Sequence, residues 1–150
     1  MSDSPEILVL NGPNLNMLGV REPDIYGYET LADIEDLCND RARSLGLTID
    51  FRQSNFEGEL VTIIQKSRDT AAGIIINGAG YTHTSVAILD ALRISELPVI
   101  ELHLSNIHAR EAFRHTSYIA QAAKGIICGF GAHGYVLAID AMARLIECAD

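Results

Sequence analysis

Gly73-Ile74-Ile75-Ile76 leads into Asn77-Gly78-Ala79-Gly80-Tyr81-Thr82-His83-Thr84-Ser85, and that into Val86-Ala87-Ile88-Leu89-Asp90-Ala91-Leu92. The first run is short, apolar and β-branched, which predicts a buried strand. The last is apolar almost all round, which predicts a buried helix from about Thr82 to Ser95. The middle is therefore a strand-to-helix turn. Two glycines let such a turn bend tightly and let a ligand approach the backbone. Into it the chain puts an amide, hydroxyls and an imidazole. A glycine turn with a threonine cap is the plainer reading. The polar density favours a site, because open α/β sheets bind ligands beyond the carboxyl ends of their strands.

The same alternation extends in both directions. Glu6 to Leu10 reads as strand one. Thr30-Leu31-Ala32-Asp33 fits a capping box, and Leu31, Ile34, Cys38, Ala42 and Leu45 recur on one helical face until Gly46. Thr48 to Gln53 alternates as a strand, and Leu60, Ile63 and Ile64 mark a helix after a cap at Ser54 to Glu57. Pro98 to Leu104 reads as strand four, Gly125 to Cys128 as strand five, and Ala132 to Glu147 as the last helix. A β-α unit repeated without a linker predicts one domain spanning residues 1–150. The expected fold is a flavodoxin-like three-layer sandwich with a five-stranded parallel sheet of order 2-1-3-4-5. Loops after strands one, three and four should then share a cleft.

Composition narrows the function. Hydrophobic content of 48% supports a packed core. No apolar run nears the ~18 residues of a membrane span, and no signal peptide is visible, so a cytoplasmic protein is expected. Three cysteines without CxxC spacing fit reduced thiols better than a disulfide frame or a zinc site. A net charge of −9 argues against nucleic acid. It also means an anionic ligand needs a local arginine cluster.

Several stretches carry candidate chemistry. Residues 11–29 form a long interval without periodicity that holds Asn14, Arg21, Tyr26 and Tyr28, which suggests an active-site lid over residues 19–28. Tyr26 can act as a base only if its phenol, normally near pKa ~10, loses its proton, and a neighbouring guanidinium such as Arg21 favours that. Glu101, His103 and Ser105 alternate along the end of strand four and so share a face. His103 is a candidate acid oriented by Glu101, against the alternative of a histidine that merely satisfies a buried carboxylate. Arg110 and Arg114 are four apart and face one way if that segment is helical; Glu111 is a rival partner for Arg114. Asp90 follows His83 by seven residues, two turns along one helical face, with Arg93 as its ordinary partner. Gly129-Phe130-Gly131-Ala132-His133-Gly134 matches GxGxxG, but no strand and ribose-binding acid follow, so turning and close packing explain it. His103, His108 and Asp90 do not make a metal-ligand pattern.

Taken together, Asn11-Gly12-Pro13-Asn14-Leu15, Gly19-x-Arg21-Glu22-Pro23 with Tyr26-Gly27, the turn from Asn77 to Ser85, Glu101-x-His103-x-Ser105-Asn106 with His108-Ala109-Arg110-Glu111, and Gly129-Phe130-Gly131 resemble the type II 3-dehydroquinate dehydratases in order and spacing. The resemblance runs from Ile7 to Ala143. It implies a cofactor-free, metal-free lyase that converts 3-dehydroquinate to 3-dehydroshikimate, the third step of the shikimate pathway. It also implies a dodecamer built as a tetramer of trimers. Carried over residue by residue, Tyr26 is the proton acceptor, Arg21 stabilises the transition state and closes with the lid, and Asn14 helps hold the enolate or water. His103 is the proton donor, oriented by Glu101. Asn77, His83, Leu104, Ser105, Arg114 and Arg110 bind substrate, and Asp90 reaches a neighbouring subunit's site. His133 and Phe56 stand where the family more often has a polar residue. The rival class is a flavodoxin-like binding or signalling module carrying a flavin or phosphate. It would want a Ser/Thr/Gly-rich loop after strand one, where this chain has Asn-Gly-Pro-Asn-Leu.

Overall fold

The computed structural model describes residues 4–20, 22–26 and 28–148; for Pro23 and Tyr26 it describes the backbone only. Strands β1 (Glu6–Asn11), β2 (Thr48–Gln53), β3 (Gly73–Asn77), β4 (Val99–His103) and β5 (Gly125–Cys128) form one sheet of order β2-β1-β3-β4-β5. Every neighbouring pair is parallel. This is the expected flavodoxin-like architecture, with helices on both faces.

The central strands are buried throughout: all five residues of β3 and all five of β4. Ile7, Val9, Ile75, Ile100 and Leu102 pack on one side with helices α2 (Leu31–Ser44) and α5 (His133–Cys148). Leu8, Leu10, Ile74, Ile76 and Val99 pack on the other with α3 (Glu57–Ser67) and α4 (Val86–Ser95). Each such aliphatic side chain contributes about 1.5–3 kcal/mol of burial free energy. Two cores divided by one sheet explain why these strands read as unbroken apolar runs rather than as alternation.

Local signals behave as expected at several ends. Thr30 Oγ1 accepts from the Asp33 amide and Asp33 returns the bond to the Thr30 amide, closing the capping box. Gly46 takes φ 73° just past α2. The 11–29 interval is less empty than its lack of periodicity suggested. It contains a 3₁₀ turn at Leu15–Met17 and a short helix α1 (Pro23–Tyr26). Of the proposed lid, Arg21 and Gly27 lie outside the described residues.

The helix after β3 starts later than the apolar pattern implies. Ala79–His83 is a 3₁₀ turn, and α4 begins only at Val86, where Ser85 Oγ accepts from the Ile88 amide. Ser85, not a threonine, is the cap. His83 and Asp90 are therefore not two turns apart on one helix: Asp90 sits exposed on α4, away from the turn. The two glycines also divide their labour differently. A Cβ at Gly78 would lie 2.5 Å from Ile119 Cδ1, whereas one at Gly80 would meet nothing within 4 Å. The left-handed residue of the turn is Ala79, at φ 50°.

Both apolar helices leave part of their apolar surface uncovered. On α4, Val86 and Ile94 are about half exposed and share a face with Asp90. Val136 and Leu137 on α5 are only partly covered. Phe56 is exposed at the start of α3, and His133 is exposed at the first residue of α5. Cys38 is buried in α2, where burial and then Glu35 push its thiol pKa up to about 12; Cys128 and Cys148 are also unpaired thiols. Among the described residues no helix is long and apolar enough to cross a membrane.

Candidate active site

Beyond the carboxyl ends of β1, β3 and β4 lies a cleft of about 200 Å³. Pro13 and Asn14 reach it from β1, Asn77, Gly80 and His83 from β3, and His103, Leu104, Ser105, Arg110 and Arg114 from β4. The order 2-1-3 places the reversal of strand order between β1 and β3, and the cleft opens there.

The floor is a buried polar network. The Tyr135 hydroxyl donates to Asn11 Oδ1 at 2.7 Å and accepts from Asn77 Nδ2 at 3.1 Å. Asn11 Nδ2 donates to the Arg52 carbonyl, and Asn77 Oδ1 accepts from the Ala79 amide. Asn77 is 3% exposed and spends its side chain on this network, with only its edge at the cleft. Burial raises the Tyr135 pKa well above the ordinary phenol range, so the hydroxyl keeps its proton and can donate. The loops above are drawn together backbone to backbone. Gly12 donates to the Asn77 carbonyl at 2.8 Å, and a Cβ at Gly12 would sit 2.5 Å from the Gly78 oxygen. Asn14 takes φ 71°, and its amide donates to Asn55 Oδ1 at 3.0 Å.

Glu101 and His103 meet as their spacing implied: Glu101 Oε2 and His103 Nε2 lie 2.6 Å apart, with Glu101 fully buried and His103 nearly so. The second carboxylate oxygen accepts from the Ser117 hydroxyl at 2.7 Å. Sequence reading missed Ser117 because it lies in a stretch with no periodicity and is 16 residues from its partner. It missed Tyr135 because a lone tyrosine in an apolar helix reads as core. The His83 ring stacks near His103, centroids 6.2 Å apart, and His83 Nδ1 bonds the Thr116 carbonyl at 2.8 Å. Burial lowers the His83 pKa, the Thr116 carbonyl opposes that, and His103 and Arg114 lower it further.

Ser105, though beyond the end of β4, is held by Arg110 Nη1 at 3.1 Å. Arg110 and Arg114 both reach the cleft, but not along one helix. Arg110 is extended, and Arg114 ends a 3₁₀ turn of three residues, Ala112–Arg114. Arg114 Nε also bonds Glu111 at 2.6 Å, so the rival ion pair exists alongside the cleft position. The glycine turn after β5 acts as a buttress. Gly129 and Gly131 donate their amides to the carbonyls of His103 and Leu104, both glycines at positive φ. A Cβ on Gly134 would come 2.9 Å from Leu102 Cδ1. These glycines thus serve turning and close packing, as their sequence context implied.

Asp90 does not line this cleft. Arg21 and the side chain of Tyr26 lie outside the described residues. Among those described, no group of three or more His, Cys, Asp or Glu side chains is arranged to hold a metal ion.

Chemically, the cleft offers a carboxylate-bound imidazole, a second imidazole, two guanidinium groups and a polar backbone. That suits a small anion undergoing proton transfer. Comparison with known proteins agrees. The family model for class II dehydroquinase matches residues 5–143. The chain is 60% identical over 139 residues to a 3-dehydroquinate dehydratase of Methylobacterium radiotolerans, covering 93% of each. It is 59% identical over 143 residues to 3-dehydroquinate dehydratase 2 of Pseudomonas putida, covering 95% of this chain and 96% of that one. The crystal structure of a type II dehydroquinase from Butyrivibrio crossotus superposes with a TM-score of 0.90 at 42% identity, over 93% of this chain and 97% of that chain. With its fold, its cleft and its relatives in agreement, the chain belongs to the class II dehydroquinase family.

Proposed function

We propose that this chain, a 3-dehydroquinate dehydratase of the shikimate pathway by family, removes water from 3-dehydroquinate by anti elimination through an enolate. The observation that carries the mechanism is the buried Glu101–His103 pair at the mouth of strand β4. A proton next to a ketone is lost first, and the electron pair moves onto the carbonyl oxygen as an enolate. In this reading Tyr26, as a phenolate that the Arg21 charge favours, takes that proton. Asn14 and the polar groups after β1 stabilise the enolate oxygen. When the enolate collapses, the carbon–oxygen bond breaks on the opposite side, and His103 gives its proton to the departing hydroxyl, which leaves as water. Glu101 stabilises the imidazolium before that transfer.

The substrate's carboxylate would lie against Leu104–Ser105, and its ring hydroxyls against Asn77, His83, Arg110 and Arg114. These groups supply the local positive charge that a chain of net charge −9 needs to hold an anion. An enolate, rather than an iminium on a lysine, is supported by the lining of the cleft. Both lysines of the chain, Lys66 and Lys124, line other grooves.

The reading includes a dodecamer of four trimers in the cytoplasm, without cofactor. The face of α4 that exposes Val86, Asp90 and Ile94 supports a subunit contact through which Asp90 reaches a neighbour's cleft. Steady-state kinetics on Tyr26→Phe and His103→Ala test the assignments. Each is expected to lower kcat by about 10²–10⁴-fold, the usual worth of a general acid or base. Full activity in either variant removes that residue from its role.

A further inference from the structure

Residues 115–118 belong to no strand or long helix, yet three of them in succession tie to groups around the cleft. The Thr116 carbonyl accepts from His83 Nδ1 at 2.8 Å, the Ser117 hydroxyl donates to Glu101 Oε1 at 2.7 Å, and the Tyr118 amide donates to the Thr82 carbonyl at 2.9 Å.

Each bond has a direction. A carbonyl only accepts, so the His83 proton sits on Nδ1 and Nε2 is left as an acceptor while the ring is neutral. Burial, which lowers the His83 pKa, favours that neutral ring. Ser117 Oγ itself accepts from the Ala120 amide at 3.0 Å, which turns its own proton toward Glu101. Glu101 is 0% exposed, so Ser117 and His103 hold one carboxylate oxygen each. A buried carboxylate that loses one of two hydrogen-bond donors is no longer fixed in a single orientation by the bond that remains. With Nε2 engaged by Glu101, His103 has Nδ1 left for a ligand.

We propose that Ser117 is a positioning residue that locks Glu101, and through it His103, and that the Thr116–Tyr118 strap thereby assigns the two imidazoles opposite roles. His83 accepts at Nε2 as a neutral ring, and His103, as the imidazolium of the proposed mechanism, donates from Nδ1. The proposal rests on the reading of His103 as the acid.

The test is steady-state kinetics on 3-dehydroquinate with the full chain in its native assembly. The variants are Ser117→Ala, Ser117→Thr, His103→Ala and the Ser117→Ala/His103→Ala double variant, with enzyme raised to stoichiometric levels where turnover is slow. Ser117→Ala is expected to lower kcat about tenfold or more while KM stays within about twofold, the signature of an interaction felt in the transition state. Ser117→Thr keeps the donor and should stay within about threefold of wild type. In the His103→Ala background, Ser117→Ala should cost nothing further. The proposal is overturned if kcat of Ser117→Ala stays within twofold of wild type, if Ser117→Thr is as impaired as Ser117→Ala, or if Ser117→Ala costs the same with and without His103. Full kcat in His103→Ala is a separate result: it removes the acid assignment, and the proposal falls with it.

Discussion

Tyr135→Phe should destabilise the protein severely although it deletes a single oxygen. The Tyr135 side chain is 1% exposed, and its hydroxyl joins Asn11 from β1 to Asn77 from β3. Removing it orphans Asn11 Oδ1 and one Asn77 proton. Neither amide can turn away, because Asn11 Nδ2 is bonded to the Arg52 carbonyl and Asn77 Oδ1 to the Ala79 amide. Each orphaned buried group costs about 1–3 kcal/mol, so a loss of about 2–6 kcal/mol is expected. That is a large share of a domain stability of about 5–15 kcal/mol. Urea unfolding at a fixed protein concentration, followed by far-ultraviolet circular dichroism, measures it. Tyr28→Phe, at a side chain 75% exposed, is the control and should stay within about 0.5 kcal/mol of wild type. A Tyr135→Phe loss below about 0.5 kcal/mol would refute the claim that this hydroxyl ties the two strand ends together.

Other perturbations have equally definite outcomes. Gly78→Ala forces a Cβ to 2.5 Å from Ile119 Cδ1 and should cost about 1–3 kcal/mol in thermal or urea unfolding, whereas Gly80→Ala, with open space, should leave stability near wild type. The His83 pKa lies below the usual imidazole value of about 6.5, so the unfolded chain binds the proton more readily. Its contribution to stability is full above about pH 6.5 and is lost as pH falls through the lowered folded value. Urea midpoints between pH 7.5 and pH 5 should therefore fall more steeply for wild type than for His83→Gln, and equal slopes would count against it. Exhaustive treatment with a chelator should leave turnover of 3-dehydroquinate unchanged, since the chemistry assigned here is carried by side chains alone.

The strands and the cleft's location were legible because they rest on local pattern, and the strand order followed from the fold class that five β-α units in a chain of this size fit. Buried aliphatic runs mark β1, β3 and β4, and the polar residues just beyond them mark the site. Glu101 and His103 were legible as a pair because alternation along one strand fixes their common face. What escaped came from distance in sequence. Ser117 reaches Glu101, and Tyr135 reaches Asn11 over 124 residues, and no periodicity encodes either meeting. The extension of the helix back to Thr82 failed because apolar pattern cannot detect a 3₁₀ turn, and Ser85 starts α4 later. The shared face of Asp90 with His83 failed with it. Arg110 and Arg114 converge on the cleft although no helix aligns them, the condition under which their spacing would put them on one face; Ser105 bonds Arg110 and Glu111 bonds Arg114 in this loop.

The central claim is that this cleft eliminates water from 3-dehydroquinate. Its most direct test is the ultraviolet absorbance of the conjugated enone product after the purified chain is mixed with 3-dehydroquinate. A steady rise that scales with enzyme concentration and needs no added cofactor is the predicted result. A flat trace from correctly folded wild-type protein would contradict the account.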